Sequence, residues 1–88
     1  MQTATAIDIL TRQGLRRDGD VFHAPEGAVV SVYVANGSSA LVLDKIATIT
    51  VAGDIALIAS ARKEVYGVEL SDLRAVRVTP EASSPGYR

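Results

Sequence analysis

Val42-Leu43-Asp44-Lys45-Ile46-Ala47-Thr48-Ile49-Thr50-Val51 is answered further along the chain by Glu69-Leu70-Ser71-Asp72-Leu73-Arg74-Ala75-Val76-Arg77-Val78. Leu43 falls on Leu70, Ile46 on Leu73, Ile49 on Val76 and Val51 on Val78, at a constant offset of 27 residues (70 − 43 = 78 − 51 = 27). Each copy reads as a strand, a short polar break and a second strand. The break is Asp44-Lys45 in the first copy and Ser71-Asp72 in the second. Asp and Ser side chains hydrogen-bond nearby backbone and favour a tight or 3₁₀-like turn, after which Ile46 or Leu73 turns back to a core. Leu43, Ile46, Leu70 and Leu73 are therefore expected to be buried.

The correspondence extends upstream at the same offset. Val30–Ala35 falls on Leu57–Arg62, and the turn residues Asn36-Gly37 fall on Lys63-Glu64. Two similar units of hairpin, bend and strand account for this. A meander of evenly spaced short strands produces the same echo without any duplication, so both origins stay open.

Outward from the paired stretch, residues 4–13 read as a short helix, with Thr5 and Asp8 as a capping box. Gly14 is the left-handed residue past its end, and Leu15 packs back on Leu10 as in a Schellman stop. Arg16-Arg17-Asp18-Gly19-Asp20 reads as a charged turn and Val21-Phe22-His23 as a short strand. Ala24-Pro25-Glu26-Gly27 reads as a turn. Ala28–Ala35 is the clearest strand, with Val30, Val32 and Val34 on one face and Val29, Ser31 and Tyr33 on the other. Asn36-Gly37 signals a type I′ hairpin that pairs this strand with 38–44. Gly53-Asp54 is a second tight turn. Residues 55–61 carry enough Ala for a helix, but Ile55, Leu57, Ala59 and Ala61 alternate with smaller or more polar neighbours, which reads as a strand. Leu73 and Val76 should be buried, with Arg74 and Arg77 exposed. Residues 79–88 (TPEASSPGYR) are too rich in Pro, Ser and Gly to bury much and are expected to form a flexible tail behind a single domain over 1–78.

The expected fold is mainly β with one short N-terminal helix, an antiparallel meander closing into a small barrel or roll. Barrel closure would remove the exposed edges of an open sheet. The run Leu70-Ser71-Asp72-Leu73-Arg74-Ala75-Val76 resembles the strand, one-turn 3₁₀ helix and final strand of SH3-like barrels. The helix ahead of the strands is similar to the Sm-like order. The Gly/Asn-rich nucleotide-contacting motifs of Sm-like RNA binders are missing, so no binding residues carry over.

Composition narrows the function classes. Of 88 residues, 48% are hydrophobic but only 5% aromatic, so the core must be aliphatic. A chain of this size buries roughly 60–65% of its unfolded surface, and its stability is modest. There is no Cys, which excludes disulfides and thiolate metal sites and fits a reducing compartment such as the cytoplasm. A net charge of −1 gives no global attraction for nucleic acid or anionic membrane. No basic, apolar leader and no apolar run of about 18 residues is seen, so no signal peptide or membrane span is expected.

No catalytic constellation is legible. His23 is the single histidine, without Cys or a second His to complete a metal site. The serines have no recognisable base partner, the glycines are scattered singly, and Asp18-Gly19-Asp20 is only a fragment of a calcium loop. No cofactor is implied. The expected function is a non-enzymatic interaction or assembly module that self-associates as a homodimer or higher oligomer, with Val29, Ser31 and Tyr33 as the contact surface. The mean hydropathy of +0.21 in so small a chain supports a partner-covered face. The alternative is a nucleic-acid-binding or regulatory barrel using Arg16, Arg17, Arg74 and Arg77, provided the N-terminal loop and last strand lie side by side.

Overall fold

A computed structural model describes residues 1–81; most of the expected tail, residues 82–88, lies outside the described residues. The elements in chain order are α1 (Thr3–Arg12), β1 (Arg16–Asp18), β2 (Val21–His23), β3 (Ala28–Asn36), β4 (Ser39–Leu43), β5 (Ile46–Ala52), β6 (Ile55–Ser60), β7 (Val65–Glu69), a 3₁₀ turn (Leu70–Asp72) and β8 (Leu73–Pro80). All strand pairs are antiparallel. They form a five-stranded sheet in the order β1-β2-β5-β6-β7 and a three-stranded sheet in the order β4-β3-β8. The mainly β, antiparallel reading holds, but the expected barrel closure is not found: among the described residues no backbone pairing joins the two sheets into a ring.

The echoed stretches are where the chain changes sheet. β4 lies in the three-stranded sheet and β5 in the five-stranded one, with only Asp44-Lys45 between them. β7 and β8 make the reverse crossing through Leu70–Asp72. The two breaks use different geometry. Lys45 takes a left-handed φ of 55°, whereas Leu70–Asp72 winds one 3₁₀ turn. Leu43, Ile46, Leu70 and Leu73 all lie in the core, as expected from the repeat.

The core is aliphatic apart from Phe22 and fills the space between the sheets and α1. Val30, Val32 and Val34 point into it from β3, Ile49 and Val51 from β5, and Ala6 and Leu10 from the helix. At the helix end the expected Schellman stop is complete. Gly14 has φ 88°, Leu15 N donates to Leu10 O and Gly14 N to Thr11 O, both at 3.1 Å. The expected capping box does not form. Helix α1 begins at Thr3 with Gln2 as its N-cap and no side-chain cap, so Thr5 is already inside the helix and Asp8 pairs with Arg12 instead.

Four other local readings shift. Arg16–Asp18 is an edge strand and only Gly19-Asp20 form the turn. The first hairpin turns on Gly37-Ser38, because Asn36 still pairs with Ser39. Only Gly37 has positive φ there, which is the pattern of a type II′ rather than a type I′ turn. Residues 55–60 are a strand, but Ala56, Ile58 and Ser60 are its buried side, and Ile55 and Leu57 face outward. At the C-terminal end β8 runs through Thr79 and Pro80 beside Val29 and Ala28, and Glu81 N donates to Gly27 O at 2.7 Å.

Candidate interaction surface

The antiparallel register sets out the outer side of the five-stranded sheet row by row. Val21, Thr50, Leu57 and Gly67 form one row across β2, β5, β6 and β7. His23, Thr48, Ala59 and Val65 form the next. Ala52, Ile55 and Glu69 form a third. Ile55 (46%), Leu57 (40%) and Val65 (64%) are large apolar side chains left in solvent. Opposite Leu57 stands Gly67, whose missing side chain uncovers the leucine; a Cβ there would lie 3.6 Å from Leu57 Cδ2. His23 therefore sits half-buried among Thr48, Arg16 and apolar neighbours. Among the described residues no group of three His, Cys, Asp or Glu side chains is placed to hold a metal ion.

Among the described residues no strand pairs with the outer edge of this sheet at β7. Ser60 N donates to Glu64 O and Leu70 N to Asp54 O, both at 2.8 Å, so residues 64 and 70 bond inward to β6 and its turn. Antiparallel alternation then turns Tyr66 and Val68 inward and leaves the N–H and C=O of Val65, Gly67 and Glu69 facing away. Natural edges are commonly blunted by charge, proline or a cover. β1 is a short charged edge, Arg16-Arg17-Asp18. β8 carries Arg74, Arg77 and Pro80, and Gln13 Nε2 donates to its Val76 carbonyl at 3.0 Å. β7 has neither Lys, Arg nor Pro within Val65–Glu69.

Beside the start of β7 lies a cleft of about 320 Å³, with Asp44, Lys45, Ser60, Arg62, Glu64 and Tyr66 among its walls. Ser60 organises it. Its buried Oγ accepts from the backbone N–H groups of Arg62 and Glu64, each at 3.2 Å, and so holds the β6–β7 turn, where Lys63 adopts φ 68°. The Tyr66 hydroxyl donates to Glu64 Oε1 at 3.1 Å. That bond, and the repulsion the carboxylate would exert on a phenolate, hold the Tyr66 phenol above its ordinary range.

The residues singled out from the sequence fall as follows. Val29 and Tyr33 are half-buried on the outer side of β3. Ser31, between them, is buried and donates to Asp44 Oδ1 at 2.6 Å, so it is used inside the molecule and not offered to a partner. Arg77 lies over the Tyr33 ring at 5.8 Å, and Arg17 over Phe22 at 5.5 Å. Arg16 and Arg17 belong to the edge of one sheet, Arg74 and Arg77 to the edge of the other. Strand pairing does not bring them together as one stripe.

The outward face of β6 and the open edge of β7 were not singled out from sequence. The signal was present: a two-residue turn at Gly53-Asp54 sets Ala52 opposite Ile55, hence Val51 opposite Ala56 and Ile49 opposite Ile58. With Ile49 and Val51 inward, Ile55 and Leu57 must point out. Comparisons of the chain with family models, with curated proteins and with solved structures return no match, so the functional reading rests on these residues and their geometry.

Proposed function

We propose that this protein is a non-enzymatic interaction and assembly module that associates with copies of itself. The observation that carries the reading is the exposed apolar set Ile55, Leu57 and Val65 on and beside β7, an edge strand that holds no Lys, Arg or Pro and, among the described residues, has no strand paired on its free side. Apolar surface and unpaired backbone groups in one place favour a protein partner, because a second strand satisfies the backbone while covering the side chains. A homodimer in the cytoplasm is the simplest arrangement consistent with a chain that has no cysteine.

In the same reading the two sheets work as the halves of a small SH3-like or Sm-like roll. Support comes from the nearly continuous β4–β5 run through Asp44-Lys45 and from the 3₁₀ turn between β7 and β8. The test is the solution mass. Size-exclusion chromatography with light scattering at micromolar concentration should give a dimer or larger species; a strictly monomeric mass overturns the self-association.

A further inference from the structure

We propose that the assembly is a two-fold dimer in which β7 pairs antiparallel with β7 of a second copy, centred on Gly67, making one continuous ten-stranded sheet. This rests on the self-association reading and names its interface. Edge geometry supplies the centre. The outward-facing groups are those of Val65, Gly67 and Glu69, three positions symmetric about Gly67. A two-fold axis through Gly67 pairs Gly67 with its own copy and Val65 with Glu69 in both directions. All three outward-facing residues are then in hydrogen-bonded pairs, and neither neighbouring centre, Tyr66 or Val68, achieves that.

Charge fixes the orientation. The two ends of β7 carry opposite charge. Arg62 and Lys63 lead into it and outnumber the single carboxylate of Glu64, which accepts from the Tyr66 hydroxyl. Glu69 ends it, with Asp54 in the turn beside it and Asp72 three residues beyond. An antiparallel dimer sets the basic end of each copy beside the acidic end of the other, whereas a parallel one would stack like on like. β4 also ends its sheet among the described residues, with Leu41 and Val42 exposed, but its ends offer no such polarity. The glycine has a place in this arrangement as well. Two Gly67 residues side by side leave a shallow trough in the outer face, flanked by the two exposed Leu57 side chains.

The geometry is tested by single cysteines, since the chain has none of its own. Gly67 has no left-handed φ and only ordinary contact at its Cβ position, so Gly67→Cys should fold. Facing residues in a hydrogen-bonded pair have Cα atoms about 5.5 Å apart, within disulfide reach. Val65 and its own copy would be about 14 Å apart, four residues along the strand. Under mild oxidation of the full chain, Gly67→Cys should therefore run as a cross-linked dimer on a non-reducing gel and Val65→Cys as a monomer.

A second pair of variants reads the register without chemistry. Val65→Glu places a carboxylate against Glu69 of the other copy twice over, whereas Val65→Lys places an ammonium there. Both lose the same apolar side chain at an exposed position, with circular dichroism as the check on folding. Val65→Glu should associate about tenfold more weakly than Val65→Lys. A monomeric wild-type protein overturns the dimer and the self-association together. A wild-type protein that associates, but whose Gly67→Cys variant does not cross-link or whose Glu and Lys variants associate alike, overturns the β7 pairing alone.

Discussion

The Ser31 hydroxyl donates a 2.6 Å hydrogen bond to the carboxylate of Asp44, tying the middle of β3 to the bend between β4 and β5. Ser31 is 2% exposed, while Asp44 reaches solvent. A hydrogen bond to a charged acceptor contributes about 1.5–3 kcal/mol, and a buried hydroxyl stripped of its partner costs about 1–3 kcal/mol. Asp44→Ala should therefore lower stability by about 1.5–3 kcal/mol. Ser31→Ala should cost less, because the carboxylate it strands is already wet. Denaturant unfolding of the two variants measures the difference.

Leu73 enters the core directly after the 3₁₀ turn and is 2% exposed. Its removal leaves a cavity where β8 begins. Leu73→Ala should cost about 2–5 kcal/mol, enough to unfold much of a small domain at room temperature. Thermal melting followed by circular dichroism gives the value, and native-like stability in this variant would contradict the packing described.

Lys45 holds the β4–β5 bend with φ 55°, a conformation that costs a residue with a Cβ roughly 1–2 kcal/mol. Part of the relief from glycine is offset by the freedom it adds to the unfolded chain, about 0.4–1 kcal/mol. Lys45→Gly should thus stabilise the protein by about 0.5–1 kcal/mol. An upward shift of the unfolding midpoint checks it.

Tyr66 makes pH a probe of the β6–β7 turn. Its phenol is raised above the ordinary value of about 10, first by the hydrogen bond to Glu64 and then by that carboxylate's charge, with a smaller contribution from burial and opposition from Arg62. A folded-state pKa above the unfolded one means the contribution is fully present below the unfolded value and is lost as pH rises through the folded one. Ultraviolet titration should show the Tyr66 phenol ionising late, and Glu64→Ala should return it toward the ordinary midpoint.

Much of the fold was legible because backbone chemistry speaks locally. The helix stop at Gly14 and the alternation of Val30, Val32 and Val34 depend on residues close together in sequence, and each copy of the 27-residue echo is likewise a local pattern of strand, polar break and strand. The faces of β6 were not legible by hydrophobicity, since Ala56, Ile58 and Ser60 are no more apolar than Ile55, Leu57 and Ala59. Pairing through the Gly53-Asp54 turn decides that face, and pairing is a property of two strands. Arg16–Asp18 reads as a turn in sequence because a charged edge strand has no apolar alternation to reveal it. The surface residues fared worst for the same reason. Ser31 looked available from its place in the alternation, and only the return of the chain at Asp44 buries it.

β3 pairs with β8 over seven positions, among them Val30 with Val78 and Val32 with Val76, and its other neighbour β4 covers only the half from Val32 onward. Ala28–Ser31 therefore have no strand beside them until β8 is made. During synthesis the N-terminal half must wait, with Val30 unsheltered, for a partner that leaves the ribosome some 48 residues later (78 − 30 = 48). Such long-range pairing places folding in the slower, millisecond-to-second class of small β proteins. A product that stops short of Leu73 lacks the strand on which the three-stranded sheet closes.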